Sequence, residues 1–447
     1  MDIFEAIKNN DISKVEEIIN SDKFFYIEHY SSNGNTPLYV ACVNNRIEIV
    51  KLLLENPKID INEENVHGNT TLYQLCLKKK KEDDIENRYL EIIKLLLDHP
   101  DIDVNKKSQT ADYGSNASFV ILGNIPLHVV KDIEILKLLL DHPDIDINIE
   151  NDYGYTPLLK WCHNPYDPYG ENIDLIKLLL TRPDVDINAQ DNNGNTALHY
   201  LVEKKPAYIE VIKILLNKPD ININLKNTWG DTIIKKAIVY RNLKAVELLL
   251  EMSNIKIKTK LVKDDLLLIV CSDNGNYNKE KYIKLLLQHP DINVNGLGQK
   301  IPLFMVRDLE SFKLLLQHSN IDVNKKNKTG DTILHYILSR YTPSYPEKID
   351  TEKIKMLLEH PKIDINAENS KNETLFLISV EKGFHAYPNE IFNLIIKNPK
   401  LNISRNKGIV NFIKKSFGRN KTIQIVINNL KKKDIESINK ILDTIEN

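Results

Sequence analysis

One stretch constrains this chain more than any other. KLLLDHPDIDIN, residues 137–148, returns as KLLLENPKIDIN from Lys51, KLLLDHPDIDVN from Lys94, KLLLTRPDVDIN from Lys177 and KILLNKPDININ from Lys213. It continues as KLLLQHPDINVN from Lys284, KLLLQHSNIDVN from Lys313 and KMLLEHPKIDIN from Lys355. Self-similarity at about 30–45 residues means one supersecondary unit stacked on itself. Each unit must bury its apolar face on its neighbours, so the expected core is continuous and elongated.

The physics of one unit can be read directly. In DIEILKLLLD, Ile133, Leu136 and Leu140 share a helix face, widened by Ile135, Leu138 and Leu139. Glu134, Lys137 and Asp141, at spacings of three and four, form a single polar stripe. Such a helix is sandwiched between neighbours and wet along one edge. Proline then stops it, at Pro57, Pro100, Pro143, Pro183, Pro219, Pro290, Pro361 and Pro399. The alternating segment that follows (Ile145 and Ile147 against Asp144, Asp146 and Asn148) reads as a short extended arm. A glycine turn and Thr-Pro-Leu come next, as at Gly34–Leu38 and Gly154–Leu158, with threonine as N-cap and proline in the first turn of a new helix.

Gly-x-Thr-Pro-Leu-His, the triple-leucine second helix and the Asp-Ile/Val-Asn ending resemble ankyrin repeats, with NGNTALHYLV (193–202) and TGDTILHYIL (329–338) close to the family pattern. The resemblance spans roughly residues 34–402. It implies an all-α repeat solenoid with short β-hairpin-like turns: an ankyrin-like stack of about ten repeats plus caps. Residues 1–33 are expected to form N-terminal capping helices through Ile3, Phe4, Ile7, Val15, Ile18 and Ile19, and residues 403–447 a basic helical C-terminal cap. The chain departs from the pattern in three ways. His-Pro replaces the usual glycine after the second helix. The first helices near Leu127 and Leu303 are about a turn short. Residues 106–124 are an insertion with no evident register.

Composition excludes some functions. Net charge is −2, so no global field draws the chain to nucleic acid or membrane. The start, MDIFEAIKNN, is not a signal peptide, and no apolar run approaches membrane-spanning length. A cytoplasmic, monomeric protein is expected. Cys42, Cys76, Cys162 and Cys271 occupy one repeat position and read as reduced core thiols. There is no CxxC pair, P-loop, GxSxG, HExxH or kinase set. Neither enzyme chemistry nor a cofactor or metal is therefore expected. Lysine runs such as Lys78–Lys81 and Lys431–Lys433 read as solvated faces rather than phosphate contacts.

The resemblance implies binding at turn tips and along the inner face of the first helices. Carried over repeat by repeat, those positions are Tyr153, Tyr155, His163 and Asn164, then Glu203 and Lys204, then Trp229, Asp231 and Tyr240. Trp229 at a tip is either an interface anchor or a residue packed on the next turn. Trp161 sits at a core position matching Ala41 and Leu201. The resemblance gives His128, His199 and His335 the role of tying adjacent turns. His99, His142, His289, His318 and His360 end second helices, where the helix dipole favours a partly charged ring.

Insertions gather between first and second helices, and several pair Tyr with Pro. They are either tolerated surface loops or a secondary contact edge through Tyr166, Tyr169, Tyr341, Tyr345 and Tyr387. The expected function is a non-enzymatic scaffold for a protein or peptide partner, with nucleic acid and membrane disfavoured. The alternatives are an adaptor that recruits other machinery, for example a ubiquitin ligase, through its C-terminal segment, or a host-directed effector.

Overall fold

The computed structural model describes residues 2–21, 30–78, 88–109, 112–113, 120–121, 123–164, 170, 172–204, 206–259, 261–273, 275, 278–340, 348–381, 394–395 and 398–401. The Tyr-Pro loop residues Tyr166, Tyr169, Tyr341, Tyr345 and Tyr387, and the expected cap 403–447, lie outside them. The chain divides into two compact bodies, Met1–Asn254 and Ile255–Asn447.

The first body is a run of antiparallel helix pairs. Helix Ile3–Lys8 precedes Ile12–Ile19, and the pairs that follow are Pro37–Val43 with Ile47–Leu54 and Thr71–Cys76 with Arg88–Leu97. Then come Pro126–Val129 with Ile133–Asp141, Pro157–His163 with Ile173–Leu179, Ala197–Leu201 with Ile209–Leu216, and Ile233–Val239 with Leu243–Leu250. First helices pack on first helices and second on second. The expected start signal holds: Thr36, Thr70, Thr156, Thr196 and Thr232 each accept, through the side-chain oxygen, the N–H three residues on. Helix Pro126–Val129 has four residues where Pro157–His163 has seven, as its sequence foretells. In the second body the pairs are Leu266–Ser272 with Lys279–Leu287, Pro302–Met305 with Leu309–Leu316, and Ile333–Arg340 with Lys348–Glu359, followed by Leu375–Glu381.

The leucines of the repeated stretch behave as their spacing requires. Ile135, Leu136 and Leu139 are fully buried, and Glu134 and Lys137 form an exposed pair at 2.7 Å. All four cysteines are free and buried. Burial raises their thiols, that of Cys162 to about 12, so they are inert core groups.

The arm after the proline differs from expectation. It is a turn rather than a strand, because its polar residues bond to backbone. Asp146 Oδ1 accepts the Asn148 N–H at 2.9 Å. Asn148 then clasps the next repeat twice: Nδ2 donates to the Asp184 carbonyl at 2.8 Å, and Oδ1 accepts the Asp186 N–H at 2.8 Å. Asn62 does the same to Asp101 and Asp103, Asn105 to Asp144 and Asp146, and Asn188 to Asp220 and Asn222. In the second body Asn295 and Asn324 repeat it on Asn320 and Asp322, and on Lys362 and Asp364.

The residue before the proline is a third point of attachment. Arg182 Nη1 donates to the Leu140 carbonyl at 2.6 Å, Lys218 Nζ to that of Leu180 at 2.7 Å, and His99 Nε2 lies 3.3 Å from that of Leu54. Each satisfies a carbonyl left over at the previous second helix. The histidines here need no positive charge for this. In His99, His142, His289, His318 and His360, Nδ1 accepts a backbone N–H two residues on, at 3.2 Å each.

The insertion acquires a register. Ser108 N–H donates to the Asn124 carbonyl at 2.8 Å and Gly123 N–H to that of Ser108 at 3.0 Å, the bonds that Asn65, Asn69 and Gly68 make in an ordinary turn. The chain thus leaves an ordinary turn after Gln109, whose N–H donates to the Gly68 carbonyl at 2.9 Å, and rejoins it at Gly123; beyond Gln109, Asp112–Tyr113 pairs antiparallel with Val120–Ile121.

Two substitutions separate core from clasp. Leu139→Ala should cost ~2–5 kcal/mol through its cavity. Asn148→Ala, which loses two backbone bonds, should cost about 1–2 kcal/mol. Both should appear as lost amide-exchange protection concentrated in the repeats around residues 133–190; an Asn148→Ala protein with unchanged protection would contradict the clasp.

Candidate functional site

Most of the described turn tips are built by an Asx residue, with Ser31 and Ser108 in its place at two of them. The Oδ1 of Asn151 accepts the N–H groups of Tyr153 and Tyr155, both at 3.0 Å; Asp191 serves Asn193 and Asn195, and Asn227 serves Trp229 and Asp231. The glycine at the tip is left-handed: Gly154 has φ 74°, and a Cβ there would sit 2.8 Å from the Asn192 backbone nitrogen. Successive turns are joined by side-chain amides, Asn65 to Asn35 at 3.2 Å, Asn151 to Asn124 at 2.9 Å and Asn227 to Asn195 at 3.1 Å.

Histidines add a second tie, as the sequence resemblance implies. His199 Nδ1 accepts the Thr196 N–H at 3.2 Å, so Nε2 carries the proton and faces the Asp231 carbonyl at 3.2 Å. His128 does the same between the Ile125 N–H and the Tyr155 carbonyl, at 3.1 and 2.7 Å, and His335 faces the Glu373 carbonyl at 3.1 Å. Burial holds the rings of His128 and His199 neutral, down at about 3 and about 4. The backbone of two candidate site residues, Tyr155 and Asp231, is thus pinned from the preceding repeat.

The amide ladder breaks between the turns of Gly154 and Gly194. Tyr155 stands where Asn35, Asn69, Asn124 and Asn195 stand in other turns, and Asp191, unlike Asn65, Asn151 and Asn227, has no amide to donate. The Tyr200 hydroxyl donates to Asp191 instead, and Asn195 Nδ2 donates to that hydroxyl at 3.3 Å. An aromatic cluster fills the gap. Tyr155 stacks on Tyr153 with centroids 6.1 Å apart and on His163 at 5.0 Å; Tyr200 meets His163 edge-on at 4.8 Å and Tyr155 at 6.3 Å. Burial raises the Tyr155 and Tyr200 hydroxyls, the Asp191 bond adding to the rise at Tyr200, and burial lowers the His163 imidazole.

Lys236, on helix Ile233–Val239, extends the cluster. Its ammonium lies 5.8 Å from the Tyr200 ring centroid and 5.9 Å from that of Tyr240, and is paired with Glu203. Burial raises the Tyr240 hydroxyl, and the Glu203 carboxylate beside it adds to the rise. Lys235 pairs with Asp231 at 2.5 Å, and Lys204 caps the carbonyls of His163 and Asn164.

The six primary candidates therefore fall into two groups. Tyr153 and His163 each stack on Tyr155, which is only 6% exposed and so a support beneath the surface. Trp229, Asp231 and Tyr240 belong to one later repeat, with Trp229 59% and Tyr240 53% exposed. Trp229 sits beside Gly230, where an added Cβ would meet nothing within 4 Å. Trp161 is core, its indole donating to the His128 carbonyl at 3.2 Å. Tyr200, Asp191 and Lys236 join the two groups and escaped the sequence reading. Part of their signal was available: Asp191 stands where Asn65, Asn151, Asn227, Asn327 and Asn369 stand in other turns, and Tyr155 where Asn35, Asn69, Asn124 and Asn195 do. Among the described residues no cluster of His, Cys, Asp or Glu has the makings of a metal site, and no helix is long and apolar enough to cross a membrane.

The model for ankyrin repeats, in three copies, matches residues 3–108 and 168–261. The chain is an ankyrin repeat protein. The rat "Ankyrin repeat and SAM domain-containing protein 6" is 33% identical over 81 residues, 18% of this chain and 9% of that protein, so the chain spans under a tenth of that relative. Among solved structures, the ankyrin repeat protein EF0377 is 32% identical, with 48% of this chain and 96% of that one covered at a TM-score of 0.37. The ankyrin repeat domain of Bcl-3, of the IkappaB family, is 20% identical, with 56% and 97% covered at 0.41. Ankyrin repeats are in general protein–protein interaction modules and in general not enzymes.

Because His199 titrates near 6.5 in the unfolded chain and about 4 when folded, the unfolded state binds more protons between those values. The stability His199 contributes is whole above pH 6.5 and lost as pH falls toward 4. His199→Gln should lower the melting temperature at pH 7 yet show a shallower fall between pH 6.5 and 4. Parallel melting-temperature curves for the two proteins would rule out a neutral tie.

Proposed function

We propose that this chain is a non-enzymatic interaction scaffold that binds a protein or peptide along the inner row of first helices and the turn tips of residues 153–241. The observation that carries this reading is the exposure of Trp229 and Tyr240 on one repeat, beside a cluster already rigid through Tyr155, His163, Tyr200 and Lys236. A large exposed aromatic on a pinned backbone binds with little further loss of conformational freedom, which is why such residues act as anchors. Tyr153 contributes a partly exposed ring at the tip, Asp231 a carboxylate held by Lys235, and Tyr155 and His163 the stiff floor. Scaffolds of this kind work through surface shape and charge, and this reading requires no cofactor.

The test is quantitative capture by the full chain from lysate of its source cells, compared with the Trp229→Ala/Tyr240→Ala double variant. The variant should lose most of its captured partner, on the order of tenfold or more for two anchor residues. Its melting temperature should stay close to that of the parent, since both side chains are mainly exposed. Equal capture by a folded double variant would dismiss this surface.

A further inference from the structure

We propose that the turn tip of residues 227–231 is the open end of a hydrogen-bonded ladder, which a partner's asparagine- or serine-led peptide segment completes; this rests on the binding reading above. In the first body successive tips are joined by a recurring backbone bond. The Val66 N–H donates to the Gly34 carbonyl at 3.0 Å, Gln109 to Gly68 at 2.9 Å, Asn192 to Tyr153 at 3.1 Å and Thr228 to Asn193 at 2.9 Å. In the second body Ser370 donates to Thr329 at 3.4 Å. The residue just before the donor reaches back too: Asn65 to Asn35, Ser108 to Asn69, Asn227 to Asn195 and Asn369 to Asp331. Such a junction is a two-residue contact, one side-chain donor followed by one backbone donor. It also covers the tip glycine. A Cβ added at Gly34, Gly68, Gly154 or Gly194 would lie within 3.0 Å of that neighbour.

The tip of Asn227–Asp231 has the acceptors of this junction without the donors. No described residue donates to the Trp229 or Gly230 carbonyl, and a Cβ added at Gly230 would meet nothing within 4 Å. Asp231 stands where Asp331 accepts the Asn369 amide at 3.0 Å, but its carboxylate turns to Lys235 on its own helix. The tip is nonetheless fully formed. Asn227 Oδ1 holds the N–H groups of Trp229 and Asp231, and His199 faces the Asp231 carbonyl. A row of preformed acceptors therefore ends in the open beside an exposed Trp229. Unmatched backbone groups at such an edge are a template for another segment. The chain's own junctions show what fits: Asn or Ser, then an uncharged residue such as Val66, Gln109 or Thr228. On Asp231 the amide or hydroxyl would replace the missing side-chain donor. The next N–H would reach the Trp229 or Gly230 carbonyl, and its side chain would cover Gly230 against the Trp229 ring.

The experiment selects a displayed library of random peptides about ten residues long on the full chain, then titrates the enriched peptides by anisotropy. Enriched sequences should share Asn or Ser followed by an uncharged residue. Trp229 reports the contact without any substitution, because the other tryptophan, Trp161, is 4% exposed and shielded from a soluble quencher. Bound peptide should protect Trp229 emission from acrylamide. N-methylation of the residue after the peptide's Asn removes the backbone donor and should weaken binding roughly fivefold, the worth of about one hydrogen bond. Asp231→Ala keeps the backbone of the tip and should weaken the Asn peptide to a similar degree. The same substitution should leave a peptide with Leu in place of that Asn unchanged, so the two losses do not add.

The proposal is overturned if no peptide is enriched, or if the enriched peptides leave Trp229 open to the quencher. It also falls if the full chain alone shields Trp229 as its concentration rises, since the occupant is then a second copy. Peptides that protect Trp229 yet lack the Asn or Ser pair, or that bind equally well when N-methylated, would sink the ladder assignment and leave the scaffold reading standing.

Discussion

Everything in this molecule hangs on asparagine side chains that bond the backbone of the neighbouring repeat. A primary amide offers a donor and an acceptor on one planar group, and Asn148 uses both on Asp184 and Asp186. The turn tips repeat the logic: Asn151 accepts two N–H groups of its own turn and donates to Asn124 of the turn before. Loops between helices would otherwise leave backbone groups unmatched. Within each body the amide ladders match them and set the register of one repeat on the next, while the leucines supply the burial.

That division of labour explains where the candidate site lies. Most positions used by the ladders carry Asn or Asp, and those in the leucine faces carry apolar residues, so recognition falls mainly to the departures from them and to the residues between. The ladder is interrupted between the turns of Gly154 and Gly194, where Tyr155 and Asp191 replace the amide pair and Tyr200 restores the lost hydrogen bond to Asp191. The cluster that results is stiff because it is packed on both sides by pinned turns. Beyond it, Trp229 and Tyr240 stand clear of the surface. Rigid support beneath and exposed aromatic area above are the two properties a preorganised binding surface combines.

Much of this was legible beforehand, residue by residue. Thr156 and Pro157 foretold the helix they begin, and His128 and His199 the ties they make. The shortness of helix Pro126–Val129 was equally visible. The Asp-Ile-Asp-Ile-Asn segment was misread as an extended arm because alternation of apolar and polar residues is the strand signal. Its Asp and Asn instead fold back on backbone, and alternation cannot distinguish the two. Tyr200 was passed over because a tyrosine after the Thr-Ala-Leu-His run reads as one more helix-face aromatic until Asp191 is seen beside it.

By itself the sequence determined the repeat, its helices and its core, because periodicity, caps and prolines act within a few residues of chain and recur in every unit. The tertiary structure alone decided which departures from the repeat belong together. Tyr155, Asp191, Tyr200 and Lys236 are spread over two to three repeats of sequence and become one cluster only when first helices stack. It also decided that Tyr155 supports from beneath while Trp229 presents a surface, since exposure depends on what the neighbouring turn covers and no local pattern carries that information.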